Sequence, residues 1–138
     1  MQDNFEDAYT DLQSSIIALC IEITDESTDY ICAFISDLCI DNYYFNVFFI
    51  VGKKVYNFSD LPVNYNIKKQ FFELIKEDIN SIYRLFNTFN RDIPEEIMMI
   101  YDNSNKSFSF EHGYESDLND QAEIKFGLWK NSITKRIN

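Results

Sequence analysis

The stretch from Tyr43 to Phe58, YYFNVFFIVGKKVYNF, constrains the fold of this chain more than any other segment. Its two arms are rich in aromatic and β-branched residues, which pack well on the pleated surface of a sheet. Gly52 and Lys53 separate the arms. Glycine suits the first central position of a type II′ turn because that position requires a positive φ. We therefore predict a β-hairpin that turns at Gly52 and Lys53.

Both faces of this hairpin carry large apolar side chains. In the first arm, strand alternation places Phe45, Val47, Phe49 and Val51 on one face. The opposite face carries Tyr44, Asn46, Phe48 and Ile50. Strands that are apolar on both sides are typical of a sheet whose faces are covered by other elements. We expect at least one face of this sheet to be covered.

Two other segments have apolar residues at the three- and four-residue spacing of amphipathic helices. The first predicted helix covers Asn4–Ile23, and its stripe consists of Phe5, Tyr9, Leu12, Ile16 and Cys20. The second covers Asn66–Phe89, with a stripe of Ile67, Phe71, Leu74, Ile75, Ile79, Ile82, Phe86 and Phe89. At 1.5 Å per residue the second helix is roughly 35 Å long, enough to cross a small sheet.

The remaining segments complete an α+β pattern. We predict strands at Tyr30–Ser36, Glu96–Tyr101 and Lys106–His112, and a third helix capped by Ser116. Its buried stripe is Leu118, Ala122, Phe126, Trp129 and Ile133. The predicted fold is a single domain over residues 1–138, with an antiparallel-rich sheet of about five strands covered by helices. The predicted order of elements is α-β-β-β-α-β-β-α.

The sequence lacks the common signatures of catalysis and cofactor binding. It contains no GxSxG, GxGxxG, Walker or HExxH motif. The single histidine, His112, lies on an aromatic strand face, where we interpret it as a packed or hydrogen-bonded residue. Cys20, Cys32 and Cys39 have no CxxC spacing, and we interpret them as buried, inert thiols. We expect no enzymatic activity, no cofactor and no metal.

The charge of the chain is unevenly distributed. The net charge is −11, and residues 1–52 contain ten carboxylates but no lysine or arginine, whereas the other 86 residues are nearly neutral. This asymmetry favours a cationic partner and counts against direct nucleic-acid binding. The alternative is that the acidity only keeps a small protein in solution. The acidic N-terminus and the absence of a long apolar run predict a cytoplasmic protein without a membrane span.

From Tyr9 to Trp129 the chain resembles the YezG-like family of antitoxins and immunity proteins. The resemblance is carried by three pieces of sequence: Tyr56-Asn57-Phe58 with the Leu61–Tyr65 loop, Phe108–Glu111 followed by Tyr114, Glu115 and Asp117, and the closing helix with Trp129. It implies a non-enzymatic protein that binds and neutralises a co-encoded toxin, commonly a nuclease. The alternatives are an adaptor module without a toxin partner, or an uncharacterised hydrolase with convergent polar residues in a pocket.

We predict the partner-binding surface from the direction of the chain. If every helix and strand reverses direction at a short connection, two acidic segments meet at one end of the sheet. The residues predicted there are Asp25, Glu26, Asp29, Glu111, Tyr114, Glu115, Asp117 and Asp120. A secondary candidate surface lies at the other end, and its residues are Asp37, Asp41, Tyr43, Tyr44 and Asp60.

Overall fold

The helices and strands follow the order predicted from the sequence. The computed structural model describes residues 4–24, 27–113 and 121–137. The described elements are α1 (Phe5–Ile23), β1 (Tyr30–Ser36), β2 (Tyr44–Val51), β3 (Lys54–Asn57), α2 (Tyr65–Thr88), β4 (Glu96–Asp102), β5 (Ser107–Gly113) and α3 (Ala122–Ile137). A single 3-10 turn, Phe58–Asp60, follows β3 in these ranges. The predicted single-domain α+β fold is confirmed.

The five strands form one antiparallel sheet in the order β3-β2-β1-β4-β5. The predicted hairpin is present, since Val51 pairs with Lys54 across the two-residue turn. Gly52 has a φ of +63°, the positive value that the turn requires. One end of the sheet, which we call the Tyr30 end, contains the pair Tyr30–Asp102. The opposite end, the Ser36 end, contains the pair Ser36–Glu96.

Both faces of the sheet are covered by helices, whereas the sequence predicted that at least one face would be covered. Val47 and Phe49 pack with α1 and α2 in the larger core. Phe48 and Ile50, on the opposite face of β2, pack with α3 in the smaller core. The two-residue alternation of β2 therefore divides its side chains between two hydrophobic layers. None of the described helices has the length and apolar content needed to cross a membrane.

The long helix α2 begins at a side-chain cap and buries most of its predicted stripe. The Asn64 side chain accepts a hydrogen bond of 2.9 Å from the Ile67 amide, which satisfies one of the free N–H groups of the first turn. Two stripe residues differ from the prediction, because Ile67 is 47% exposed and Leu74 is 39% exposed. At 100° per residue both lie at the same margin of the stripe, where the sheet and α1 no longer cover the helix.

The smaller core confirms part of the predicted stripe of α3. Phe126, Trp129 and Ile133 are buried. Ala122 is half-buried, and the predicted cap Ser116 and stripe residue Leu118 lie outside the described residues.

Two of the three cysteines are buried as predicted. Cys20 and Cys32 are buried free thiols, and burial raises the pKa of Cys32 to about 12 and that of Cys20 further, so both remain protonated at neutral pH. The prediction is wrong for Cys39, which is exposed. Cys39 lies in the connection between β1 and β2, outside both hydrophobic layers.

Candidate functional site

The outer surface of α1 carries three exposed carboxylates on one side of the helix. Asp7, Asp11 and Glu22 are exposed, and at 100° per residue they lie within about 60° of one another around the helix axis. The three carboxylates extend over about 22 Å, and α1 contains no lysine or arginine. The buried stripe of α1 packs on the opposite side of the helix. We call Asp7, Asp11 and Glu22 the acidic face of α1.

A further carboxylate lies at the seam between α1 and α2. The Ser15 hydroxyl donates a hydrogen bond of 2.6 Å to Asp78. Burial raises the pKa of Asp78 and the neighbouring Glu77 raises it further, while the Ser15 hydrogen bond opposes the shift. Asp78 is thus fixed by its hydrogen bond to Ser15. Among the described residues, Asp7, Asp11 and Glu22 form no side-chain hydrogen bond or ion pair.

An open cleft lies beside the N-terminal end of α1. Its volume is about 600 Å³, and it is lined by Phe5, Glu6, Tyr9, Phe86, Arg91, Asp92, Phe110 and His112. Three parts of the chain form this site: the start of α1, the segment around the end of α2, and β5. Arg91 is anchored at its edge, with its guanidinium carbon 4.0 Å from the centre of the Phe5 ring and one nitrogen 3.4 Å from Glu6.

The floor of this cleft contains a hydrogen-bonded tyrosine–histidine pair. The hydroxyl oxygen of Tyr9 lies 2.6 Å from Nε2 of His112. With the ring proton on Nδ1, the hydroxyl donates and the imidazole nitrogen accepts. Burial lowers the pKa of His112, and the charge of Glu6 offsets part of this shift. The imidazole is therefore neutral at pH 7, and the prediction of a packed, hydrogen-bonded histidine is confirmed.

Sequence reasoning did not find this cleft because its members are far apart along the chain. Tyr9 and His112 are separated by 103 positions, and Glu6 and Arg91 by 85. The acidic face was accessible from the sequence, since Asp7, Asp11 and Glu22 have helical spacing within a predicted helix. Within the described ranges, no group of three or more histidine, cysteine or acidic side chains is arranged to hold a metal ion.

The described bases are concentrated on other elements. Helix α3 carries Lys125, Lys130, Lys135 and Arg136 against Glu123. The first half of α2 carries Lys68, Lys69 and Lys76, beside the exposed rings of Tyr65 and Phe72. Helix α3 covers the face of the sheet opposite to α1, whereas the lysines of α2 lie on the same side of the sheet as α1.

Of the predicted partner-binding residues, the described part of the chain contains Asp29 and Glu111, and these two lie toward opposite ends of the sheet. Asp25, Glu26, Tyr114, Glu115, Asp117 and Asp120 lie outside the described residues. Asp29 precedes β1 at the Tyr30 end, where its carboxylate accepts a hydrogen bond of 2.6 Å from the Gly52 amide. Glu111 pairs with Met98 toward the Ser36 end, four residues from Ser107. Since Met98 in turn pairs with Phe34, the backbone positions of Asp29 and Glu111 are five residues, or about 17 Å, apart along the strand direction, and the prediction that they meet is wrong.

The segment between β3 and α2 explains this error. The prediction assumed that α2 reverses the direction of β3. Instead, residues 58–64 return the chain to the Tyr30 end, because Asp60 and Leu61 line a cleft with Thr24, Thr28 and Val51. Helix α2 then runs antiparallel to α1, and β4 begins at the Ser36 end. Because the chain reverses direction once more than predicted, β5 ends at the Ser36 end and not at the Tyr30 end.

The secondary candidate surface is assembled only in part. Asp37, Asp41 and Tyr43 lie in the β1–β2 connection at the Ser36 end, and Tyr44 begins β2 there. Tyr43 packs against the larger core, whereas Tyr44 packs on the smaller one, so the two rings lie on opposite faces of the sheet. Asp60 is at the Tyr30 end, which contradicts its predicted place beside the tyrosines.

The comparison with known proteins leaves the family open. No protein-family model matches this chain, and no curated protein sequence matches it. The resemblance to the YezG-like family therefore stays a prediction.

Proposed function

We propose that this chain is an immunity protein that binds and neutralises a basic protein toxin, of the nuclease type, without catalysis of its own. The proposal is supported by the sequence and by the charge of the surface. Its sequence pieces resemble those of YezG-like antitoxins. The charge matters because a toxin that binds phosphate groups needs a basic site, and an acidic surface can occupy that site.

The acidic face of α1 is the single observation that carries this proposal. Asp7, Asp11 and Glu22 are exposed on α1, and the same helix offers no base to neutralise them. Exposed charges that lack partners remain available to an incoming protein. Across a span of about 22 Å they can contact several bases of a partner at once.

A surface of this kind acts mainly on the rate of association. Complementary charges steer the encounter, and the steering weakens with added salt because the Debye length falls from about 30 Å at 0.01 M to about 8 Å at 0.15 M. The proposal therefore predicts fast, salt-sensitive binding of the partner. Dissociation depends more on close contacts in the interface.

The test uses the product of the neighbouring open reading frame as the candidate toxin. Its association with the full chain is measured by stopped flow at low and high salt, and its toxicity is measured with and without co-expression of the chain. Asp7, Asp11 and Glu22 are reversed to lysine in one variant. A matched variant reverses Glu73, Glu77 and Glu123, which are exposed acids of α2 and α3. We expect the first variant to slow association at least tenfold and to flatten its salt dependence, with a much smaller effect of the second.

A third variant tests the acidic segments predicted from the sequence, by reversing Asp25, Glu26, Glu115 and Asp117. If this variant alone slows association, the partner binds those segments and the acidic face of α1 is not the site. If neither the neighbouring protein binds nor its toxicity falls, the immunity function is wrong. Stable binding of a non-toxic neighbour would instead favour the adaptor alternative.

A further inference from the structure

The cleft beside α1 already holds one guanidinium group of the chain itself. Arg91 lies over the Phe5 ring, with 4.0 Å between its guanidinium carbon and the ring centre. Its nitrogen is 3.4 Å from the Glu6 carboxylate. An aromatic face and a carboxylate are the two groups that stabilise a guanidinium most directly in proteins. This edge of the cleft is therefore chemically suited to arginine.

The cleft lining contains a further, exposed aromatic ring and a second carboxylate. Phe110 is 43% exposed, and its ring centre lies 5.2 Å from that of His112. The Asp92 carboxylate is exposed at the rim. The volume of about 600 Å³ is within the range of sites that receive a small molecule or a large side chain.

The charge of the lining also favours a cation. Among the described residues of the lining, Glu6 and Asp92 are the two carboxylates and Arg91 is the one base. Because burial keeps His112 neutral at pH 7, the imidazole does not repel a positive group. Asp7 follows Glu6 on α1 but points about 100° away around the helix axis, so the cleft lies beside the acidic face rather than within it.

We propose that this cleft receives an arginine side chain of the basic partner, which stacks on Phe110 and His112 and pairs with Glu6 and Asp92. This inference rests on the proposed function, because it identifies the anchor by which the acidic face holds its partner. A planar guanidinium both stacks on aromatic rings and forms forked hydrogen bonds to carboxylates, whereas the ammonium group of lysine does neither as well. Arginine is also a frequent energetic anchor of protein interfaces.

The test titrates the full chain with a tri-arginine peptide and needs no toxin. NMR follows the imidazole resonances of His112, the single histidine of the chain. Tri-lysine and tri-citrulline are the comparison peptides, since citrulline keeps the shape of arginine without its charge. We expect saturable shifts with tri-arginine, several-fold weaker binding of tri-lysine and none of tri-citrulline.

Two sets of substitutions in the cleft, with one control outside it, locate the peptide. Phe110→Ala removes the exposed ring, and its matched control Phe72→Ala removes a ring of the same 43% exposure on α2. Stacking predicts a loss of affinity between about 3- and 30-fold for Phe110→Ala and no change for Phe72→Ala. Glu6→Gln combined with Asp92→Asn should weaken binding in the same way, and this double variant decides the test if Phe110→Ala does not fold.

Several results would overturn the inference. One is equal binding of the three peptides, and another is tri-arginine binding that is unchanged by both sets of substitutions. A third is binding of tri-glutamate in the same cleft, which would make Arg91 the recognition group. Loss of the peptide site together with retained, salt-sensitive toxin association would leave the proposed function standing. Failure of toxin association with an intact peptide site would reject only the proposed function.

Discussion

Trp129 fixes α3 to the sheet through aromatic contacts. It is 8% exposed, and its ring centre lies 5.5 Å from that of Phe48 and 5.8 Å from that of Phe34. We expect Trp129→Ala to lower the free energy of unfolding by about 3–5 kcal/mol, because the small core cannot close the resulting cavity. Urea denaturation measures the change. If the midpoint hardly moves, the indole does not stabilise α3.

Trp129→Phe provides the matched comparison. Among the described residues the indole Nε1 has no hydrogen-bond partner, although it is buried. Phenylalanine keeps most of the ring contacts and removes an N–H group that is costly to bury unpaired. We therefore expect a much smaller loss of stability for Trp129→Phe than for Trp129→Ala.

His112 links the stability of the cleft to pH. Its pKa in the folded chain is lowered from 6.5 by burial, so the unfolded chain binds the proton more readily. Stability is then complete above pH 6.5 and falls as the pH drops through the lowered pKa. We expect the urea midpoint to fall more between pH 7.5 and pH 5.5 for the natural chain than for His112→Gln. An NMR titration that places the pKa of His112 above 6.5 would contradict this expectation.

At the scale of elements, a reciprocal pair of hydrogen bonds ties the β1–β2 connection to α2. The Asp41 amide donates to the Asn80 side-chain oxygen at 3.0 Å, and the Asn80 side-chain nitrogen donates to the Asp41 carboxylate at 2.9 Å. Asp41 has a φ of +56°, a left-handed conformation that aspartate adopts more readily than most residues. The Asn80 hydrogen bond is the main cause of the lowered pKa of Asp41, with Lys76 contributing less.

We predict that Asn80→Ala loosens this connection and returns the pKa of Asp41 toward its ordinary value. A carboxylate with a lowered pKa stabilises the fold above its ordinary pKa, and this stabilisation is lost as the pH falls through the pKa of the folded chain. The variant, with a less depressed pKa at Asp41, should therefore lose less stability than the natural chain on acidification. Lys76→Gln is the control, since its ion pair with Asp41 is exposed and contributes little. Urea midpoints between pH 7 and pH 3 measure both effects. Equal midpoints for the two variants would show that Asn80 is not the anchor.

At the scale of the molecule, the net charge of −11 opposes compaction. Glu22 is exposed in the last turn of α1, where there is no base and the helix dipole is unfavourable to an acid. We predict that raising NaCl from about 10 mM to about 150 mM increases the urea midpoint, because salt screens this repulsion. A variant with Asp11→Asn and Glu22→Gln should be more stable at low salt and respond less. A midpoint that falls with salt would show that ion pairs such as Lys125–Glu96 outweigh the repulsion.

Local sequence determined the helices and strands and most of the residues that they bury, with Ile67 and Leu74 as exceptions. Phe48 and Phe49 are adjacent, yet they belong to different cores, as strand alternation predicts. The Gly52 turn is likewise a property of a few neighbouring residues. The acidic face of α1 follows from helical spacing alone. Periodicity is a local property, and these features required no knowledge of distant contacts.

Only the tertiary structure decided which ends of the elements meet. The path of residues 58–64 set the direction of α2, and with it the separation of Asp29 from Glu111. The same long-range packing joined Tyr9 to His112 and Arg91 to Glu6. The physical reason is that contacts between distant residues depend on the packing of whole helices against the sheet, and no short stretch of sequence encodes that packing.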